Sequence, residues 1–160
     1  MVLRVLLIAF AVVFSTAAIA LSPGEAERVV ALVERLAPDL GEIAYDDEEA
    51  DRWFEDDSAN AQLIGKAGFT RESWQEAFDA VMKGYFALVP RAELEAKLNS
   101  VRARLSQAQH LSPEQQEEVV ASFDKQVTII HTYREEGRAY TDAVRPLVSR
   151  LDPLVSSGMD

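Results

Sequence analysis

The chain has no cysteine, only two histidines, and seven glycines spread over 160 residues. Without cysteine no disulfide braces the fold in any redox compartment, so stability must come from apolar burial. His110 and His131 stand far apart and neither has a second histidine three or four residues away, so no H-E-x-x-H or similar zinc spacing exists. The scattered glycines build neither G-x-G-x-x-G nor G-x-x-x-x-G-K-[ST], and a phosphate-cradling loop is therefore not encoded. G-x-S-x-G is missing too. One S-x-x-K occurs, Ser122-Phe123-Asp124-Lys125, but with neither S-D-N nor K-T-G beside it the match reads as chance on a polar helix face. No stretch alternates apolar and polar residues long enough to argue for a strand. Basic residues are short against acidic ones, 16 Lys and Arg facing 27 Asp and Glu for a net charge of −11. That balance argues against nucleic acid and against an anionic membrane surface, both of which are bound by neutralising phosphates. It suits solubility or a basic partner.

What the chain does have begins with an address. Met1 to Ala20 carries Arg4, the apolar run Val5 to Phe14, and small residues ending Ala18-Ile19-Ala20, the order of a secretory signal peptide cleaved between Ala20 and Leu21. The alternative is an uncleaved anchor, since Val5 to Leu21 is 17 residues, at the short limit for spanning a bilayer. No twin arginine and no lipoprotein cysteine are present, so the expected route is the general one, to the periplasm or beyond. Cleavage removes Arg4 and no acid, which takes the net charge to −12 and leaves no stable membrane insertion.

The rest reads as one all-α domain, 21–155, with a frayed tail at 156–160. Its hub is Thr70 to Val89. There Trp74, Ala77, Phe78, Val81, Met82, Tyr85, Phe86 and Val89 recur at i, i+3, i+4, i+7 and share one helical face. Thr70 is placed to cap this helix, Glu72 sits in its positive first turn, and Phe69 with Trp74 occupies the positions of a hydrophobic staple. Before it, Ser22-Pro23-Gly24-Glu25 starts a helix that Pro38 is expected to stop near Ala37. A second helix is expected within 42–66, broken near Ser58, with Gly68 as its left-handed terminator. After Pro90, Leu94, Leu98, Val101, Leu105 and Ala108 keep the 4, 3, 4, 3 rhythm of a narrow coiled-coil-like seam, expected to lie antiparallel to the hub. Leu111-Ser112-Pro113-Glu114-Gln115 is a capping box launching a helix with Val120, Phe123, Val127 and Ile130 on one stripe, and Gly137 marks a break or kink. A last segment, 140–154, is interrupted by Pro146 and Pro153. Together these predict a bundle of about five helices.

Two constellations invite a functional reading. The segment 42–57 holds nine acids against Arg52 alone, and Asp46, Asp47, Glu49 and Asp51 are the candidate ligands for a hard cation. An EF-hand loop started at Asp47 fails, with Arg52 where glycine is needed and Ser58 at the twelfth position. A solvated acidic start to a helix is the plainer account. The aromatic residues between Trp53 and Phe86 form the other constellation, with Trp53, Phe54 and Trp74 as candidate partner-binding residues; helical spacing favours core packing for them.

Leu111-Ser112-Pro113-Glu114-Gln115 is similar to the L-T-x-x-Q motif of small helical periplasmic stress proteins of the Spy and CpxP type, with serine for threonine; Leu21-Ser22-Pro23-Gly24-Glu25 is a looser match. That resemblance implies a helical chaperone or adaptor for unfolded or sensor proteins, though this chain is acidic and holds three methionines where that family is basic and methionine-rich. Ala67-Gly68-Phe69-Thr70, Trp74, Val81-Met82, Tyr85 and Val144 to Asp152 resemble uncharacterised small exported helical proteins of Gram-negative bacteria, which implies a fold class and a compartment and no activity.

The expectation is an exported, non-enzymatic helical protein without cofactor that binds an envelope protein or an unfolded chain. Cation or small-ligand binding through 42–57 is the alternative. Oligomeric state stays open.

Overall fold

A computed structural model of the chain describes residues 21–41, 43, 48–108 and 111–156. Residues 1–20, expected above to be a signal peptide, the tail beyond Ser156, and Asp46, Asp47 and His110 lie outside the described residues. Among these the chain is one packed all-α domain with no strand.

The first helix, α1 (Pro23–Leu40), is capped by Ser22, whose hydroxyl accepts from the Glu25 N–H at 3.2 Å. Pro38 does not stop it. The proline sits in the last turn, where its missing N–H costs only the bond that the Glu34 carbonyl would have received, and the helix closes at Gly41 in a positive-φ conformation instead. α2 (Glu49–Ala59) and the single turn α3 (Leu63–Lys66) are the two pieces of the helix expected within 42–66, which breaks just after Ser58 and ends at Lys66. The break falls at Gln62, which takes a left-handed conformation, φ 57°. Asp57 holds that break together: its carboxylate, 2% exposed, accepts from the N–H groups of Leu63 at 2.9 Å and Ile64 at 2.8 Å.

Gly68, φ 90°, then turns the chain into α4 (Arg71–Leu88). Thr70 and Ser73 form a reciprocal capping box, and the Phe69 and Trp74 rings meet edge-on at 5.7 Å, closing the staple. All eight residues of the expected stripe, Trp74 through Val89, are buried. α4 is the hub as read from the sequence: α1 and α2 pack on it from one side of the chain order, and the helices after Pro113 from the other.

Pro90 ends α4 and begins α5 (Arg91–Ser106). Here the expectation fails in one respect. The main partner of α5 is α6 (Pro113–Glu136), not the hub. Because Pro90 has no N–H, the Phe86 carbonyl loses its i+4 donor; Arg134, from α6, donates to the carbonyls of Phe86 and Val89, the latter at 2.5 Å. That contact seats α6 on the end of α4, so α6 takes the place beside the hub that the sequence assigned to α5. From Gly137 the chain stays helical through a 3-10 turn, α7 (Thr141–Val144), a second 3-10 turn and α8 (Val148–Ser156). Pro146 and Pro153 are accommodated along this run, the former within the second 3-10 turn. Tyr85 donates to the Asp152 carboxylate at 2.8 Å, and Arg150 bridges Glu27 and Glu34, which ties α8 back across α4 and α1.

Candidate functional site

The residues singled out from the sequence are mostly consumed by the fold. Trp74 is fully enclosed, its ring 5.4 Å from Phe78 and its indole N–H donating to the Ala50 carbonyl at 2.9 Å. Trp53, buried beside Phe78 at 6.1 Å, donates to a Glu49 oxygen at 2.8 Å. Phe54 is half-buried beneath the Arg71 guanidinium, 5.7 Å from its ring centre. These three rings lock α2 to α4; Trp53 and Trp74 are buried in that contact, and Phe54 keeps part of its surface.

The acids behave alike. Glu49, buried, is engaged by Trp53 and by Arg52. Asp51 accepts from Gln75 at 3.1 Å and stands 3.3 Å from Arg71, which also pairs with Glu55 at 2.5 Å. Among the described residues no three His, Cys, Asp or Glu side chains converge as a cation would require. The acidic segment is thus only partly a solvated face. Two of its members, Glu49 and Asp57, are interior acceptors that organise α2 and α3.

One open cleft of about 390 Å³ lies between α1 and α4, lined by Leu21, Glu25, Glu76, Asp79, Lys83 and Tyr140 among others. Its lysine is committed. Burial pushes the Lys83 ammonium down, but Glu136 at 2.8 Å holds it above its ordinary value on balance, and the Tyr133 ring lies 5.0 Å away.

What remains is the arm made by α5 and α6. It is rooted by Leu94, Leu98, Ile130 and Arg134, which reach the core, and between Asn99 and Ile129 no described residue is buried. The apolar seam nevertheless continues along that stretch: Val101, Leu105, Leu111, Val119, Val120 and Phe123 are all half-exposed. Two antiparallel helices can cover each other along one line only, and a seam of this kind is left open at its flanks unless further helices close it. In the body α4 supplies that cover. Toward the tip, among the described residues, no helix does. At the tip, Ser112 and Gln115 form a reciprocal capping box, and Glu114 is held below the ordinary carboxylate range by its own backbone N–H and then by Ser112. The L-S-P-E-Q motif is therefore the N-terminus of α6, at the far end of the arm.

Sequence reading missed the arm as a surface because the 4, 3, 4, 3 rhythm of α5 states that a partner helix exists and not which one. The available signal was width: α5 and the first half of α6 offer one stripe of single-residue width with Phe123 as the sole aromatic, whereas the stripe of α4 is broad enough to be packed from several sides. No protein-family model, no curated protein and no solved structure matches the chain.

Proposed function

We propose that the protein is exported and works in the cell envelope as a non-enzymatic helical protein that binds another protein through the α5–α6 arm. The observation that carries this reading is the arm's uncovered seam, in which Val101, Leu105, Val119 and Val120 stay half-exposed while the stripe of α4 is closed. Apolar surface held open on a projecting element is the usual mark of a docking face for helices. The leader at 1–20 supports export, and the acidic balance supports a protein partner over nucleic acid or lipid.

Two measurements test it. Intact mass of the envelope form should correspond to a chain beginning at Leu21. A photo-crosslinking side chain placed at Leu105 or Val120 in living cells should give discrete protein adducts, and the same group at the exposed position Ser58 of the body should give none. Equal labelling at the three positions, or none on the arm, removes the docking reading.

A further inference from the structure

We infer that the open cleft between α1 and α4 is the seat of the α-ammonium that cleavage after Ala20 creates on Leu21, so that removal of residues 1–20 stabilises the folded domain. This rests on the reading of the chain as exported and trimmed, and on nothing in the α5–α6 arm. Position gives the first argument. Leu21 is 8% exposed, belongs to the core, and lines the cleft of about 390 Å³. Beside it Ser22 caps α1 with an extended backbone, ψ 150°, and accepts from the Glu25 N–H at 3.2 Å. Leu21 is thus held by its side chain and by its neighbour, and its nitrogen is a single bond, about 1.46 Å, from the anchored Cα.

Charge gives the second argument. Glu25 of α1, Glu76 and Asp79 of α4, and Tyr140 of the 3-10 turn after α6 line the same cleft. Where α4 meets the cleft, Ala77 and Ala80, both buried, present only methyl groups, which leaves the space open. Among the described residues the Glu25 and Glu76 carboxylates meet no base, and Lys83, the one cation of the lining, is drawn to Glu136 at 2.8 Å. Three carboxylates therefore share the cleft with a base already in use, and their mutual repulsion costs stability. In the precursor the Leu21 nitrogen is a neutral amide and relieves none of it. After cleavage the same atom carries a positive charge among them. The start of α1 acts as roughly half a positive charge and opposes the ammonium, but three carboxylates outweigh it.

The full chain, expressed and purified from the envelope fraction, supplies the test. Competitive acylation across a pH series should show its terminal amine titrating at about 9, above the ordinary range of about 7.7–8.0. Combining Glu25→Gln with Glu76→Gln should return the amine to that range, with circular dichroism confirming that the variant is folded. A folded pKa raised in this way contributes stability that is fully present below the unfolded value and is lost as pH rises through the folded one. Acetylating the terminal amine alone should therefore lower Tm by about 2–4 °C at pH 7 and make no difference above about pH 10. A gap that persists at pH 10 reports crowding by the acetyl group and overturns the charge argument. Intact mass separates the two ways of failing. A chain that does not begin at Leu21 removes the trimming reading and this inference with it. A chain that begins at Leu21, with an amine that titrates in the ordinary range and a Tm indifferent to acetylation, overturns the seat and leaves the export reading standing.

Discussion

Gly137 lies against the backbone of Lys83 so closely that a β-carbon built on the glycine would stand 1.9 Å from the Lys83 carbonyl oxygen. The contact is where the end of α6 crosses the hub, and its φ of −67° shows that the glycine is needed for space and not for a left-handed turn. Gly137→Ala should therefore force the backbones apart and cost upwards of about 3 kcal/mol, seen as a large fall in the denaturation midpoint. Gly84→Ala, whose added carbon meets the Val144 side chain at 2.8 Å, should cost less, about 1–2 kcal/mol, because a side chain yields more readily than a peptide. Equal effects would mean that the crossing is not set by the glycine.

Asp57 offers a second test. Its two carboxylate oxygens close α3 by accepting from Leu63 and Ile64, and the residue is almost fully enclosed. Asp57→Ala should cost about 3 kcal/mol, since two N–H groups lose a charged acceptor at once. Asp57→Asn keeps one acceptor and should recover a substantial part of that loss. Similar destabilisation by the two variants would show that charge and not acceptor geometry is what matters.

These two residues show what was legible in the sequence and what was not. Thr70, Gly68, Phe69 and Trp74 were readable because caps and staples act between residues three to five apart, so the information is local. The stripe of α4 was readable for the same reason. Pro38 misled because the rule for proline concerns helix interiors, and a last turn has only one bond to lose. The pairing of α5 with α6 depends on Arg134 reaching the carbonyls that Pro90 leaves without a donor, a contact across more than forty residues that no local spacing announces. Likewise the acidic segment reads as solvated until α3 and Trp53 fold over Asp57 and Glu49.

Acid should loosen the attachment of α8. The Glu34 carboxyl is held below its ordinary value by hydrogen bonds from Arg150 and then by that residue's charge, with burial opposing. A lowered folded pKa contributes stability above the unfolded value, about 4.3, that is lost as pH falls through the folded value. Arg150→Ala should thus lower the melting temperature by about 2–4 °C at pH 7, corresponding to roughly 1 kcal/mol for a partly exposed network. The gap between the two proteins should hold from pH 7 to about 5 and shrink below about 4. A gap that widened on acidification would assign the wrong sign to the pair.

Calcium should leave the protein unmoved. Glu49 and Asp51 already serve Trp53, Arg52, Gln75 and Arg71, so a cation would have to displace those contacts before gaining ligands. Binding at a hundredfold excess over the dissociation constant adds about 2.7 kcal/mol, which a thermal melt resolves easily. A rise of several degrees in millimolar calcium would restore the acidic segment, through Asp46 and Asp47, as a cation site.

Hydrogen exchange should divide the molecule at the root of the arm. In α4 the amides lie on a helix packed from several sides, whereas from Asn99 to Ile129, among the described residues, α5 and α6 shield each other and no residue is buried. Opening the arm exposes little apolar surface, so it should open without the body. Arm amides should exchange at least about a hundredfold faster than those of α4, close to 2.7 kcal/mol less protection. Uniform protection along the chain would mean that the two helices alone hold the arm as firmly as the hub holds the body, and an open seam would then be the wrong description of it.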